Sequence, residues 1–181
     1  IGLFVPTEME RTQNGVKMTY VTKSHGRPAY DMPLGREVAW DGWSETFHQR
    51  DFWELEPFVM TLDIKEVEGG FDLAFATEGG LDRVMFDIEC YFKSPGQWET
   101  DGQVQSAEGA VILKKGFGVF KSGDYAISVG PGIAEHRMWA MRGWDGGGPA
   151  FRVRMTPLSP VNHTLQIRYG VWSATDEKLH I

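Results

Sequence analysis

Phe58-Val59-Met60-Thr61-Leu62-Asp63-Ile64-Lys65, then a break at Glu68-Gly69-Gly70, then Phe71-Asp72-Leu73-Ala74-Phe75-Ala76, is the stretch that decides the fold. In the first run Phe58, Met60, Leu62 and Ile64 fall on one side of an extended strand, with Val59, Thr61, Asp63 and Lys65 on the other. Side chains of a strand alternate between its two faces, so a period of two marks a strand with one face in a core and one toward solvent. Glycine in the break supplies the positive φ that a tight hairpin turn needs. The same period returns in Val84, Phe86, Ile88, Cys90 and Phe92, and in Tyr125, Ile127 and Val129. It returns again in Phe151, Val153 and Met155 against Arg152 and Arg154, and in Leu165, Ile167 and Tyr169 against Gln166 and Arg168. No window of helical length shows a comparable 3.6-residue period. Short turns at Glu78-Gly79-Gly80, Lys115-Gly116, Ser122-Gly123 and Gly130-Pro131-Gly132 separate the runs. The pattern predicts an all-β chain, an antiparallel β-sandwich or jelly roll.

Working outward, 181 residues make one large domain with enough length for a sizeable core. Residues 56–172 carry the alternation and form the core sandwich. Residues 1–55, polar and broken by Pro6, Pro28 and Pro33, read as an irregular N-terminal wrap holding a few short strands, one around Lys17 to Thr22. Residues 173–181 read as a polar tail. Aromatic residues make up 13% of the chain, which predicts an aromatic-rich core. Cys90 is the single cysteine, so no intrachain disulfide forms, and its place on an apolar face makes it a small core residue. A formal charge of -7 without a long Lys or Arg run excludes nucleic-acid binding by phosphate neutralisation. No apolar run approaches the roughly 18 residues of a membrane-spanning helix. The chain opens on Ile1-Gly2-Leu3-Phe4 without an initiator Met, which reads as a piece of a longer protein. A periplasmic or extracellular setting is favoured over a cytoplasmic one.

The segment Gly130-Pro131-Gly132-Ile133-Ala134-Glu135-His136-Arg137-Met138-Trp139-Ala140-Met141-Arg142-Gly143-Trp144 stands apart from the rest. A Gly-Pro-Gly turn feeds a strand that carries a histidine, two arginines and a tryptophan. His136 and Arg142 share one face of that strand at a spacing of roughly 20 Å, so they line a groove rather than act on one atom. Arg152, Arg154 and Arg168 lie on the polar faces of the last two strong strands. Were those strands paired, a basic patch would form that grips carboxylates or sulfates, and tryptophans such as Trp43, Trp53, Trp98, Trp139, Trp144 and Trp172 would stack on sugar rings. The competing reading pairs the same arginines with acids on neighbouring strands. Asp87 and Glu89 sit at the two-residue spacing of a carboxylate pair about 7 Å apart, but an ordinary outward strand face looks the same. The five histidines are scattered singly, which gives no metal site and no cofactor.

Gly118-Val119-Phe120-Lys121-Ser122-Gly123-Asp124-Tyr125-Ala126-Ile127, Gly130-Pro131-Gly132 with Glu135-His136, Met141-Arg142-Gly143, and Asn162-His163-Thr164-Leu165 carry a resemblance. The run from Asp82 to Gly170 resembles the C-terminal β-sandwich of heparinase II/III-like bacterial polysaccharide lyases. In that family much of the catalytic apparatus lies on a helical toroid domain, which this chain lacks. The resemblance therefore implies a supporting sandwich, or a stand-alone relative. The expectation is a β-sandwich that binds or positions a glycan, anionic where the arginines meet it, through Trp139, Trp144, Arg137, Arg142, Arg152, Arg154 and Arg168. Two alternatives stay open. One is a jelly-roll lyase or isomerase using His136, Tyr125 and Arg142 as acid, base and charge neutraliser. The other is a protein–protein assembly domain that forms a homodimer through surface aromatics.

Overall fold

The computed structural model describes residues 5–21, 29–30, 36, 49, 52–53, 57–80, 82–107, 110–135 and 150–181. They form strands β1 (Glu8–Thr12), β2 (Gly15–Val21), β3 (Ala29–Tyr30), β4 (Phe52–Trp53), β5 (Phe58–Val67), β6 (Gly70–Gly79), β7 (Ile88–Phe92) and β8 (Gln97–Thr100). The remainder are β9 (Gln103–Ala107), β10 (Ala110–Lys115), β11 (Gly118–Ser122), β12 (Tyr125–Gly130), β13 (Phe151–Met155), β14 (Asn162–Ser173) and β15 (Lys178–His180). A large sheet runs in the order β1-β2-β5-β6-β14-β12-β11-β8, with β15 added beside β14. A second sheet of four strands runs β7-β13-β10-β9. β3 and β4 pair separately.

The chain is therefore an all-β protein of packed sheets, as the alternation predicts. The hairpin from β5 to β6 holds ten register pairs, from Phe58 opposite Gly79 to Val67 opposite Gly70. Its turn places Gly69 at a φ of 62°, the left-handed region that costs glycine least. Among the described residues every strand pair is antiparallel except one. β10 and β13 run parallel, with Val111 opposite Val153, so the chain between them has to travel back to the starting end.

The core forms where the two sheets face each other. Val111, Leu113, Val153 and Met155 come from the small sheet and meet Val129 and Leu165 of the large one. Aromatic side chains pack at the margin of this cluster rather than in its centre. Phe92 stacks on Phe120 at 4.5 Å between ring centroids, and Trp98 lies 5.6 Å from Phe151. The fully buried set is mainly aliphatic, with Phe120 its aromatic member among the described residues.

Three details differ from the sequence reading. The strand expected around Lys17 to Thr22 begins at Gly15 and, with β1, extends the large sheet through seven register pairs to β5. Residues 8–12 and 15–21 are thus a regular hairpin of the large sheet, more extensive than a short strand within an irregular wrap. The C-terminal segment does not trail as a tail. β15 pairs with the end of β14, Val171 opposite His180, through backbone hydrogen bonds that ignore side-chain polarity. β10 gave no alternation at all, because Ala110, Val111, Ile112 and Leu113 are buried on both faces of the small sheet.

Leu165 is 1% exposed and sits between the sheets. Leu165→Ala is expected to cost about 2–5 kcal/mol, the range for a buried leucine that leaves a cavity. The shift in urea midpoint at unchanged m-value measures it.

Candidate functional site

The three arginines expected to form one basic patch lie in different sheets, since β13 belongs to the small sheet and β14 to the large one. The strand pairing on which that patch depended does not occur. Each guanidinium meets an acid instead. Arg154 holds Asp87 through Nη1 at 2.7 Å and Glu89 through Nη2 at 2.9 Å, while its Nε has no partner. Arg152 reaches Glu89 at 3.6 Å and lies over the Tyr91 ring, 5.2 Å from its centroid. Arg168 holds Asp72 at 2.6 Å and donates to the carbonyls of Phe71 and Ile167. Register explains the small-sheet network, because Glu89 sits opposite Arg154 and Tyr91 opposite Arg152. The Arg154 side chain is only 7% exposed. Burial pushes the Asp87 carboxyl above its ordinary value, the Arg154 charge pulls it back, and the Glu89 charge adds to the rise. The Asp87 and Glu89 pair considered for glycoside hydrolysis is thus tied up by one guanidinium.

His136, Arg137, Trp139, Arg142 and Trp144 lie outside the described residues. Of the proposed acid–base set, only Tyr125 is placed, at the start of β12 and 68% exposed. Trp98 and Trp172, two of the candidate stacking residues, are both engaged. Trp98 packs inside against Phe151. Trp172 carries the Lys121 ammonium over its ring, 4.4 Å from the centroid, and that ammonium also bonds Glu99. Among the described residues, no group of three or more His, Cys, Asp or Glu side chains gathers as a metal site. None of their helices is long and apolar enough to cross a membrane.

Besides Tyr91 and Phe117, the exposed aromatics among the described residues gather in a place alternation alone did not reveal. Residues opposite each other in register share a face. Phe71 is opposite Ile167, Tyr169 opposite Ile127, and Tyr125 opposite Val171. Phe71, Tyr169, Tyr125 and Val171 therefore stand on the inner face of the large sheet, together with the cavity-lining Leu73, Ile127 and Ile167. Unlike those residues, they are 37%, 50%, 68% and 51% exposed. They descend diagonally over three adjacent strands. The rings of Phe71 and Tyr169 lie 6.5 Å apart at 39°, and Tyr125 follows at the next diagonal step of about 7–8 Å. The sequence reading put Tyr125 and Tyr169 in the core because their period matched it.

One row further in, the inner face borders a cavity of about 540 Å³ between β7 and strands β5, β6, β12 and β14. Cys90 lines it, and burial pushes that thiol up to about 11, with the Glu89 carboxylate adding to the rise. His163, noted in the sequence only within Asn162-His163-Thr164, is half-buried, with Nε2 3.0 Å from the Pro131 carbonyl. Burial lowers its pKa, and the hydrogen bond to Pro131 opposes that shift.

Searched against protein families, curated proteins and solved structures, the chain matches none.

Removing one partner from the Arg154 network leaves charges without compensation. Arg154→Ala is expected to cost about 2–4 kcal/mol by urea denaturation, below the fully buried limit because the acids are one-third exposed. Combining Arg154→Met with Asp87→Asn and Glu89→Gln should recover more than half of that loss. His163 has a pKa lower in the folded protein than its unfolded value of about 6.5. The unfolded chain takes up that proton first, so His163 supports folding above its unfolded value, and the support is lost as pH falls through the folded one. Between about pH 7.5 and pH 5.5 the native protein should lose more Tm than His163→Gln, whose amide can still donate to Pro131.

Proposed function

We propose that this β-sandwich is a glycan-binding module whose platform is the diagonal of Phe71, Tyr169 and Tyr125. The observation that carries this reading is that three adjacent strands present aromatic rings to solvent on one face, up to 68% exposed. The C–H faces of sugar rings are apolar, and aromatic side chains stack on them while a phenol hydroxyl bonds a sugar hydroxyl. An exposed row of this kind costs solubility unless a ligand or partner covers it. Recognition rests on ring faces and hydroxyls rather than on charge, because Arg152, Arg154 and Arg168 already hold carboxylates. A neutral glycan thus fits better than the anionic one that the arginines suggested in the sequence. The role is that of a supporting sandwich within a polysaccharide-active protein, in keeping with the resemblance to lyase C-terminal domains.

A panel of immobilised neutral and uronic-acid polysaccharides tests it. Binding to a neutral polymer is expected, weakened about fivefold to tenfold by Tyr169→Ala and by Tyr125→Ala, about 1–1.4 kcal/mol each. Both side chains are half or more exposed, so circular dichroism and Tm should stay near those of the native protein. Uronic-acid polymers should give no absorbance from unsaturated products. Absence of binding across the panel, or a dimer that forms through the same face without any glycan, would overturn the proposal.

A further inference from the structure

We infer that the cavity between β7 and the inner face of the large sheet is a separate binding site for a neutral, largely apolar small molecule. Its volume of about 540 Å³ falls in the range of roughly 300–1,000 Å³ that small-molecule sites occupy. One wall is the large sheet, with Met60, Leu62, Leu73 and Phe75 among its side chains, and the other is β7, with Ile88 and Cys90. Packing loosens at this location. Under β10 and β13, Leu113 and Met155 are fully buried. Under β7 the inward Leu73, Phe75, Ile88 and Cys90 remain only partly buried, although they point at the opposing sheet. A well-packed interior leaves few voids larger than water, so a space of this size lined by aliphatic and aromatic groups is either dry or filled by a ligand.

Charge selects the ligand class. Among the described residues no Lys, Arg or His lines the cavity, and the Asp87 and Glu89 carboxylates turn away from it to Arg154 on the outer face of the small sheet. An acid such as a fatty-acid carboxylate would lose its hydration there and meet no cation. A cationic head group gains little, because Arg154 already compensates both acids. The Thr77 hydroxyl accepts from the Val161 amide at 2.7 Å and keeps its own proton to offer. A hydrocarbon-rich molecule with one acceptor, such as a long-chain alcohol or ether, matches this lining.

The probe is N-phenylnaphthylamine, a neutral fluorophore that brightens in apolar surroundings, titrated into the full chain. The expected result is saturable micromolar binding, displaced by dodecanol and not by dodecanoate, with the anionic anilinonaphthalene sulfonate binding at least tenfold more weakly. Leu62→Trp, which fills the cavity, should weaken the neutral probe at least tenfold, whereas Tyr169→Ala should leave it unchanged. That contrast separates this site from the glycan platform. Should Leu62→Trp not fold, alkylation of Cys90 in the native protein decides, since bound probe is expected to slow it several-fold. No brightening, equal binding by a folded Leu62→Trp, preference for the anionic probe, or Cys90 alkylation unaffected by the probe would each overturn the inference.

Discussion

A sheet of four strands covers a sheet of nine neither in width nor along the full length of its strands, and much of what distinguishes this molecule follows from that mismatch. Where β10 and β13 lie over β12 and β14, the interface is dry and close-packed, with Leu113, Met155 and Leu165 essentially without solvent contact. Toward β7 the small sheet ends while the large one continues through β6, β5, β2 and β1. The inner face then passes from buried, to cavity-lining, to solvent-exposed within a few residues of the same strands. One alternating pattern thus serves three environments, set by what lies opposite and not by the residues themselves.

That is also where reading the sequence succeeded and where it stopped. The period of two located β5, β6, β13 and β14, because each has a face whose apolar residues meet the other sheet or its margin. It could not separate Leu165 from Tyr169, four residues apart on the same face of β14, one 1% and the other 50% exposed. Coverage is a property of the partner sheet, and a single strand carries no record of it. β10 escaped for the opposite reason. A strand buried on both faces has no alternation to show, and Ala110 to Leu113 look the same as part of an apolar helix.

The arginines illustrate a different limit. Their positions on polar faces were legible, and so was the alternative that acids on neighbouring strands take them up. The choice depended on which strands are neighbours. Glu89 and Arg154 are opposite each other only because β7 and β13 pair across a long separation in sequence. A guanidinium 7% exposed and shared between two carboxylates then fixes the edge strand in register more than it advertises a ligand. Sequence reasoning also lacked any signal for His163, whose hydrogen bond to Pro131 joins two segments 32 residues apart.

The parallel pairing of β10 with β13 has a consequence for how the chain acquires its structure. The hairpins β5–β6, β9–β10 and β11–β12 close over short loops and can form early. Beyond its β9–β10 hairpin the small sheet has no such shortcut. β13 has to be laid between β7 and β10, and the Arg154 contact to Asp87 spans 67 residues. Until that strand docks, the apolar face of the large sheet and both flanking strand edges stand open to water and to other chains. Docking of β13 between its two neighbours is thus the step at which correct pairing would compete with self-association.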